Sequence, residues 1–440
     1  MNTIFTIFKT RFYVKELIII FICYLLMEEM FSWLLMPDSN LVQNYEKSVS
    51  LLVAAYLIYA LRKLKTWERI FVVVFVLLML KLVLESLNEY ESFFQQLTMF
   101  YVLFPVLFAL FIKHVCRQFD LDILEFLAKF YLVSYIIFMA WYGRGFSFSL
   151  AEIEMNDYGP YSGDGRVLHS SKIYMMVIPF LWYLNKSIET PKFKYLLPLL
   201  LCITVILIHQ HRSVWSCAIV SLFTYLGLMS RANQQSIPRI YRIGVGFILV
   251  LLVAYFFLSN LFPEFVDFMA DRFGEIFEPN KEDSTGKFRA DQREIYGELF
   301  WERPMFGWSF EGFEMSNPLV DWWPEKTGQH FHEGYIEILF YHGIVGFIFK
   351  FSLFFYIIYK SFSRKLSQET MIMIAFCLSG LLYSLNYVLP LIFWAHLGLC
   401  LYYIENDQTE KAEDDYIEFE AIKEEPQKNK NRKFSMAGLK

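Results

Sequence analysis

Residues 70–86 read IFVVVFVLLMLKLVLES, seventeen positions in which only Lys81 and Glu85 carry charge. A run of that length and apolarity, without a polar face, is what a helix needs to cross the hydrocarbon layer of a membrane. Its flanks set a direction. Arg62, Lys63, Lys65 and Arg69 precede it, whereas Glu85 to Ser92 holds three Glu and no Lys or Arg. Basic connectors stay on the cytoplasmic side, so the run leads outward.

The same pattern repeats along the chain. Apolar stretches recur near 14–36, 48–61, 97–112, 123–142, 171–185, 194–210, 213–229, 240–259, 334–359, 371–386 and 388–404. Together with 70–86 they make about twelve transmembrane helices. Basic residues fall in alternate connectors: Lys113 and Arg117; Lys186, Lys192 and Lys194; Arg231, Arg239 and Arg242; Lys360, Arg364 and Lys365. The alternation places both termini in the cytoplasm and the segment 260–331 outside. With 440 residues, 56% hydrophobic and 19% aromatic, the expectation is an all-α polytopic membrane protein. Spans 1 to 9 occupy 1–259, an extracytoplasmic loop 260–331, spans 10 to 12 332–404, and a disordered cytoplasmic tail 405–440.

Several classes drop out. The net charge of −5 carries no nucleic-acid footprint. Five of the six cysteines lie in apolar runs and Cys116 lies in a basic connector, so neither a disulfide nor a metal framework is offered. Lys9, Arg11 and Lys15 precede the first apolar run as in a signal peptide, but it ends in Glu28 and Glu29 without a small-residue cleavage pattern, which reads as an uncleaved span. His332-Glu333 begins like a zinc-protease motif, yet Ile336 stands where the second histidine belongs.

The chemistry gathers on the outer side. Phe288 to Trp301 has helical spacing, with Ile295 and Leu299 on one face and Pro304 as its stop. Arg289 and Arg293 share a face of this helix, and neither has an acid three or four positions away. Such a pair either faces water and headgroups or grips a diphosphate through its guanidinium forks. Trp301, Phe306, Trp308, Phe310, Phe313, Trp322 and Trp323 crowd the loop, as an interfacial belt or as platforms for sugar rings. Arg212, in HQHRSVW between two spans, is costly there unless it meets a polar cavity or snorkels. His332, where the loop meets an apolar helix, combines hydration with an imidazole suited to general-base work, or plays a structural part. A second outside loop, 143–170, adds Arg144, Arg166 and His169 and is a candidate wall on the acceptor side.

These residues resemble the bacterial O-antigen ligase and polymerase family. HEGYIEILFYHGIVGF is similar to the family's run of His, an aliphatic four on, Glu five on, and Gly at eleven and fourteen, met by His332, Ile336, Glu337, Gly343 and Gly346. TGKFRADQREIYGELFWERPMFGWSF resembles its Arg, aromatic, Pro-x-x-Gly run through Arg289, Tyr296, Pro304 and Gly307, and Arg212 falls where the family carries an arginine between central spans. Glu333, His211 and Ser309 depart from the residues usual at their places.

The resemblance implies a fold like the GT-C class of membrane glycosyltransferases and a metal-independent enzyme with no cofactor, in the bacterial inner membrane. Its partners would be a polyprenyl-diphosphate-linked oligosaccharide, an acceptor glycan or lipid, and other envelope-assembly proteins. His332 would act as base, with Arg212 and Arg289 on the diphosphate; Arg293, Arg166, Trp308 and Glu333 would complete the substrate site. Polymerisation is the expectation, with ligation to lipid A core or protein as the alternative. A lipid-linked glycan transporter or an envelope scaffold would share the spans but not the clustering of candidates beside one outer loop.

Overall fold

A computed structural model of the chain describes residues 3–7, 10–13, 18, 39–93, 99–142, 168–209, 211–232, 237–261, 285–308, 331–363 and 366–407, with scattered positions between 263 and 274. The expected first span, except Ile18, and the tail beyond 407 lie outside these residues.

An antiparallel hairpin of β1 (Thr3–Ile7) and β2 (Thr10–Tyr13) opens the chain and is the one departure, among the described residues, from the all-α expectation. Helices follow: α1 (Ser39–Tyr59), α2 (Thr66–Tyr90), α3 (Phe100–Phe119), α4 (Leu124–Tyr142), α5 (Ser170–Met175), α6 (Val177–Glu189), α7 (Phe193–Ile208), α8 (Arg212–Ala232), α9 (Ile237–Leu261), α10 (Thr285–Glu302), α11 (Gly334–Ser361), α12 (Gln368–Tyr383) and α13 (391–407). Of the twelve spans expected, four helices among the described residues have the length and apolarity to cross a membrane, α2, α3, α8 and α11, the last counted across an internal kink; α7 and α12 are apolar but shorter. Cys116, expected in a connector, lies buried within α3.

The helix ends follow local chemistry. At the start of α2, Glu68 accepts the Lys65 backbone N–H at 2.8 Å, and Ser367 accepts the Thr370 N–H at 3.2 Å at the start of α12. The last helix, α13, is apolar nearly all round and forms the buried axis. Gly398 presses its backbone on Ala109 of α3, Phe393 fills the space at Gly380 of α12, and His396 meets the Tyr131 hydroxyl of α4 at 2.9 Å.

The sequence reading of 334–359 as one span needs correction. Gly343 has φ 59° and ψ −157°, a conformation outside the helical region that glycine alone adopts readily, and the helix breaks there. In a straight helix Glu337 and Lys350 would stand about 20 Å apart, and Tyr335 and Phe351 about 24 Å. Instead, Glu337 and Lys350 pair at 3.5 Å and the rings of Tyr335 and Phe351 stack at 4.9 Å. The two arms, 334–342 and 344–361, therefore lie back to back as a helical hairpin. Only the second, about 27 Å long, reaches the length of a span.

Breaking a helix frees backbone groups that burial makes expensive. The turn after α10 satisfies them. Ile344 N–H donates to the Pro304 carbonyl at 2.8 Å, Val345 N–H to that of Met305 at 3.2 Å, and Trp308 N–H to that of Phe340 at 2.7 Å. Gly307, with φ 70°, allows this approach, since a Cβ there would sit 2.7 Å from the His342 nitrogen. The turn and the kink thus depend on each other.

One end of the bundle collects the basic connectors. Lys113 donates to Glu68 and Glu405, Arg117 reaches the same two carboxylates at 3.2 and 3.4 Å, and Lys65 pairs with Glu405 at 2.7 Å. Glu405, Asn406 and Asp407 are the close of α13 and not the start of a tail; Asp407 accepts the Ser367 N–H at 2.9 Å. The candidate site residues lie towards the other end, where α8 begins and α12 finishes.

Candidate active site

Helix α10 and the first arm of α11 build the centre of the site. Their contact is apolar on one side, where Tyr296 meets Phe331 and Phe340, and polar on the other, where Gln292 accepts the His332 backbone N–H at 3.4 Å. The Gly334 N–H donates to the Ser384 carbonyl at 3.0 Å, which ties the start of the arm to the end of α12. His332, half-buried, is thereby fixed at the meeting point of α10, α11 and α12.

The two arginines of α10 have different partners. Arg293 donates through Nε to Glu333 at 2.9 Å and through a terminal nitrogen to its other oxygen at 2.6 Å. This fork-on-carboxylate geometry corrects the reading of Arg293 as an unpaired charge, because a partner forty positions away in sequence is invisible to helix spacing. Arg293 is 55% exposed whereas the Glu333 side chain is 3% exposed, so the arginine chiefly serves to neutralise a buried carboxylate. The same bond raises the Arg293 pKa above its ordinary value.

Arg289, one turn earlier, points deeper. Its guanidinium lies over the Tyr387 ring at 5.3 Å, and its Nε is buried without a hydrogen-bond partner among the described residues. Burial pushes its pKa down, Tyr387 and Glu333 oppose that shift, and the nearby Arg212 adds repulsion. An arginine does not lose its proton in a protein, so Arg289 keeps its charge here against desolvation, with Tyr387 and Glu333 as the compensating neighbours.

Arg212 opens α8 after a turn built from two buried histidines. His209 meets the Tyr135 hydroxyl at 3.0 Å and His211 Nε2 meets the Leu168 carbonyl at 3.0 Å. The second bond carries the chain to His169, whose Nδ1 accepts the Ser171 N–H at 3.3 Å and whose ring sits edge-on to Tyr387 at 5.8 Å. His211, read as a departure from the family pattern, is thus a brace between the Arg212 turn and the loop before α5.

The structure therefore gathers Arg212, Arg289, Arg293, His332 and Glu333. It places Trp308 elsewhere, about 12 Å along the first arm from His332. Its indole N–H donates to the Leu299 carbonyl at 2.8 Å, Arg303 covers its ring at 4.1 Å, and it is 8% exposed. Arg166 and Arg144 lie outside the described residues. Sequence reasoning passed over Gln292 and Tyr387; the polar break Ser384-Leu385-Asn386-Tyr387 before Pro390, between two apolar runs, was the available signal for the second.

Fold and site together define a helical protein with apolar helices of membrane-spanning length and a cluster of arginines, His332 and Glu333 towards one end of its bundle. Residues 197–351, or 155 of the 440, match the family model described as O-antigen ligase. No curated protein matches the chain.

Proposed function

We propose that the protein transfers a glycan from a polyprenyl diphosphate to an acceptor hydroxyl on the outer side of a bacterial inner membrane, through about twelve spans arranged like the GT-C class. The observation that carries this is Arg289, whose Nε is buried without a hydrogen-bond partner among the described residues, close to Arg212 and on the helix that holds the His332 backbone through Gln292. His332 takes the proton of the acceptor hydroxyl as that oxygen attacks the anomeric carbon. The bond from that carbon to the diphosphate oxygen breaks, and Arg212 and Arg289 stabilise the charge that collects on the leaving diphosphate. Fixed guanidiniums in a water-poor site stabilise that charge without reorganising, at on the order of 3 kcal/mol per contact. Two guanidiniums can do the neutralising work of a divalent cation, so the reaction needs no cofactor. Arg293 keeps Glu333 from repelling the same diphosphate.

Polymerisation is the preferred reading, with the acceptor a second lipid-linked repeat. Ligation of finished glycan to a lipid or protein hydroxyl is the alternative, and the family description favours keeping it. The test is the length distribution of carrier-linked glycan in cells with wild-type protein and with His332→Ala. Single repeats accumulating in the variant establish a polymerase, and long chains stranded on the carrier establish a ligase. An unchanged profile from an inserted variant removes His332 from the chemistry.

A further inference from the structure

The connector between α12 and α13 places Tyr387 where four separate segments converge. Its ring carries the Arg289 guanidinium on one side at 5.3 Å, meets the edge of His169 at 5.8 Å and leans on Tyr383 at 5.3 Å. Its carbonyl borders Gly334, where an added Cβ would come to 3.3 Å. Tyr383 is itself held, since its hydroxyl meets that of Ser170 at 2.9 Å. The ring is therefore wedged between α5, α10, α11 and α12.

An arginine side chain loses rotamer freedom when it is ordered, and a site that orders it beforehand spares the substrate that cost. A carboxylate could do the ordering, as Glu333 does for Arg293, but it would occupy the fork and cancel the charge. A tyrosine attracts the guanidinium plane without cancelling its charge; the Tyr387 hydroxyl takes part of one N–H edge of Arg289, and the remaining N–H groups stay open to oxygen acceptors. Tyr387 thus differs from Glu333 in the property that matters for anion binding.

We propose that Tyr387 is a positioning residue that holds Arg289 in the orientation in which its N–H edge meets a diphosphate. The inference rests on the role proposed above for Arg289. The experiment titrates inorganic pyrophosphate into the full-length protein in detergent micelles, as wild type, Tyr387→Phe, Tyr387→Leu, Arg289→Ala and the Arg289→Ala/Tyr387→Leu double variant. Losing the aromatic face should weaken binding on the order of tenfold in Tyr387→Leu, while Tyr387→Phe stays within about threefold of wild type. In the Arg289→Ala background Tyr387→Leu should change nothing further, a non-additivity that a merely structural tyrosine would not produce. Wild-type binding by Tyr387→Leu, or a loss that adds to that of Arg289→Ala, overturns the inference. If the leucine variant does not fold, a loss beyond about tenfold in Tyr387→Phe overturns it instead. Arg289→Ala binding as wild type does, or a wild type that does not bind, strikes the Arg289 role itself and is read separately.

Discussion

At the scale of the residue, the site shows how one spacing can hide two functions. Arg289 and Arg293 stand one turn apart on α10, yet Arg293 is spent on Glu333 and Arg289 is held over Tyr387. The consequence is testable by transfer rate. Arg289→Ala should lower it on the order of a hundredfold, as expected for losing a donor to transition-state charge. Arg293→Ala should cost about tenfold, because it leaves Glu333 buried and uncompensated beside the diphosphate. Adding Glu333→Gln should then restore Arg293→Ala and do nothing for Arg289→Ala. Equal losses in the two single variants, with no rescue, would mean that both arginines touch the substrate.

At the scale of the element, the hairpin of α11 is what brings the His332 arm back towards the bundle. The break at Gly343 and the turn at Gly307 are locked by three backbone hydrogen bonds, and each glycine faces backbone atoms that cannot move aside. A methyl at 343 would approach the Pro304 carbonyl at 2.6 Å from a conformation that only glycine takes easily. Gly343→Ala should therefore cost about 3 kcal/mol or more and lower the apparent unfolding temperature of the detergent-solubilised protein by several degrees. The control is Gly297→Ala on α10, where nothing lies within 4 Å of the added carbon and stability should hold or rise slightly. Equal behaviour of the two variants would remove the kink as a tight junction. Both motif glycines were legible as part of a family pattern; why they must be glycine was not, since that depends on which backbone lies opposite.

At the scale of the whole molecule, the bundle has two chemically distinct ends. Lys65, Glu68, Lys113, Arg117 and Glu405 form a charge cluster at one, and the arginines, His169 and His332 lie towards the other. If these ends face opposite sides of the membrane, single cysteines at the exposed positions Leu385 and Lys192 should differ sharply. A membrane-impermeant maleimide added to intact spheroplasts should label Leu385→Cys, and label Lys192→Cys only after lysis. The five described native cysteines are buried and add little background. Labelling of both positions before lysis would refute the opposed ends and the outward site with them.

By itself the sequence determined where most of the described helices form and which family pattern residues 200–350 resemble, and its flanking charges set an expectation for the side each connector takes. Those properties follow from apolar length, flanking charge and short-range spacing, all of which act locally along the chain. Only the tertiary structure decided that Arg293 belongs to Glu333, that Trp308 packs inward, that residues 334–361 fold back at Gly343 and that Tyr387 underlies Arg289. Each is a contact between segments distant in the chain, set by which backbone and side-chain groups burial forces together, and no local propensity encodes it.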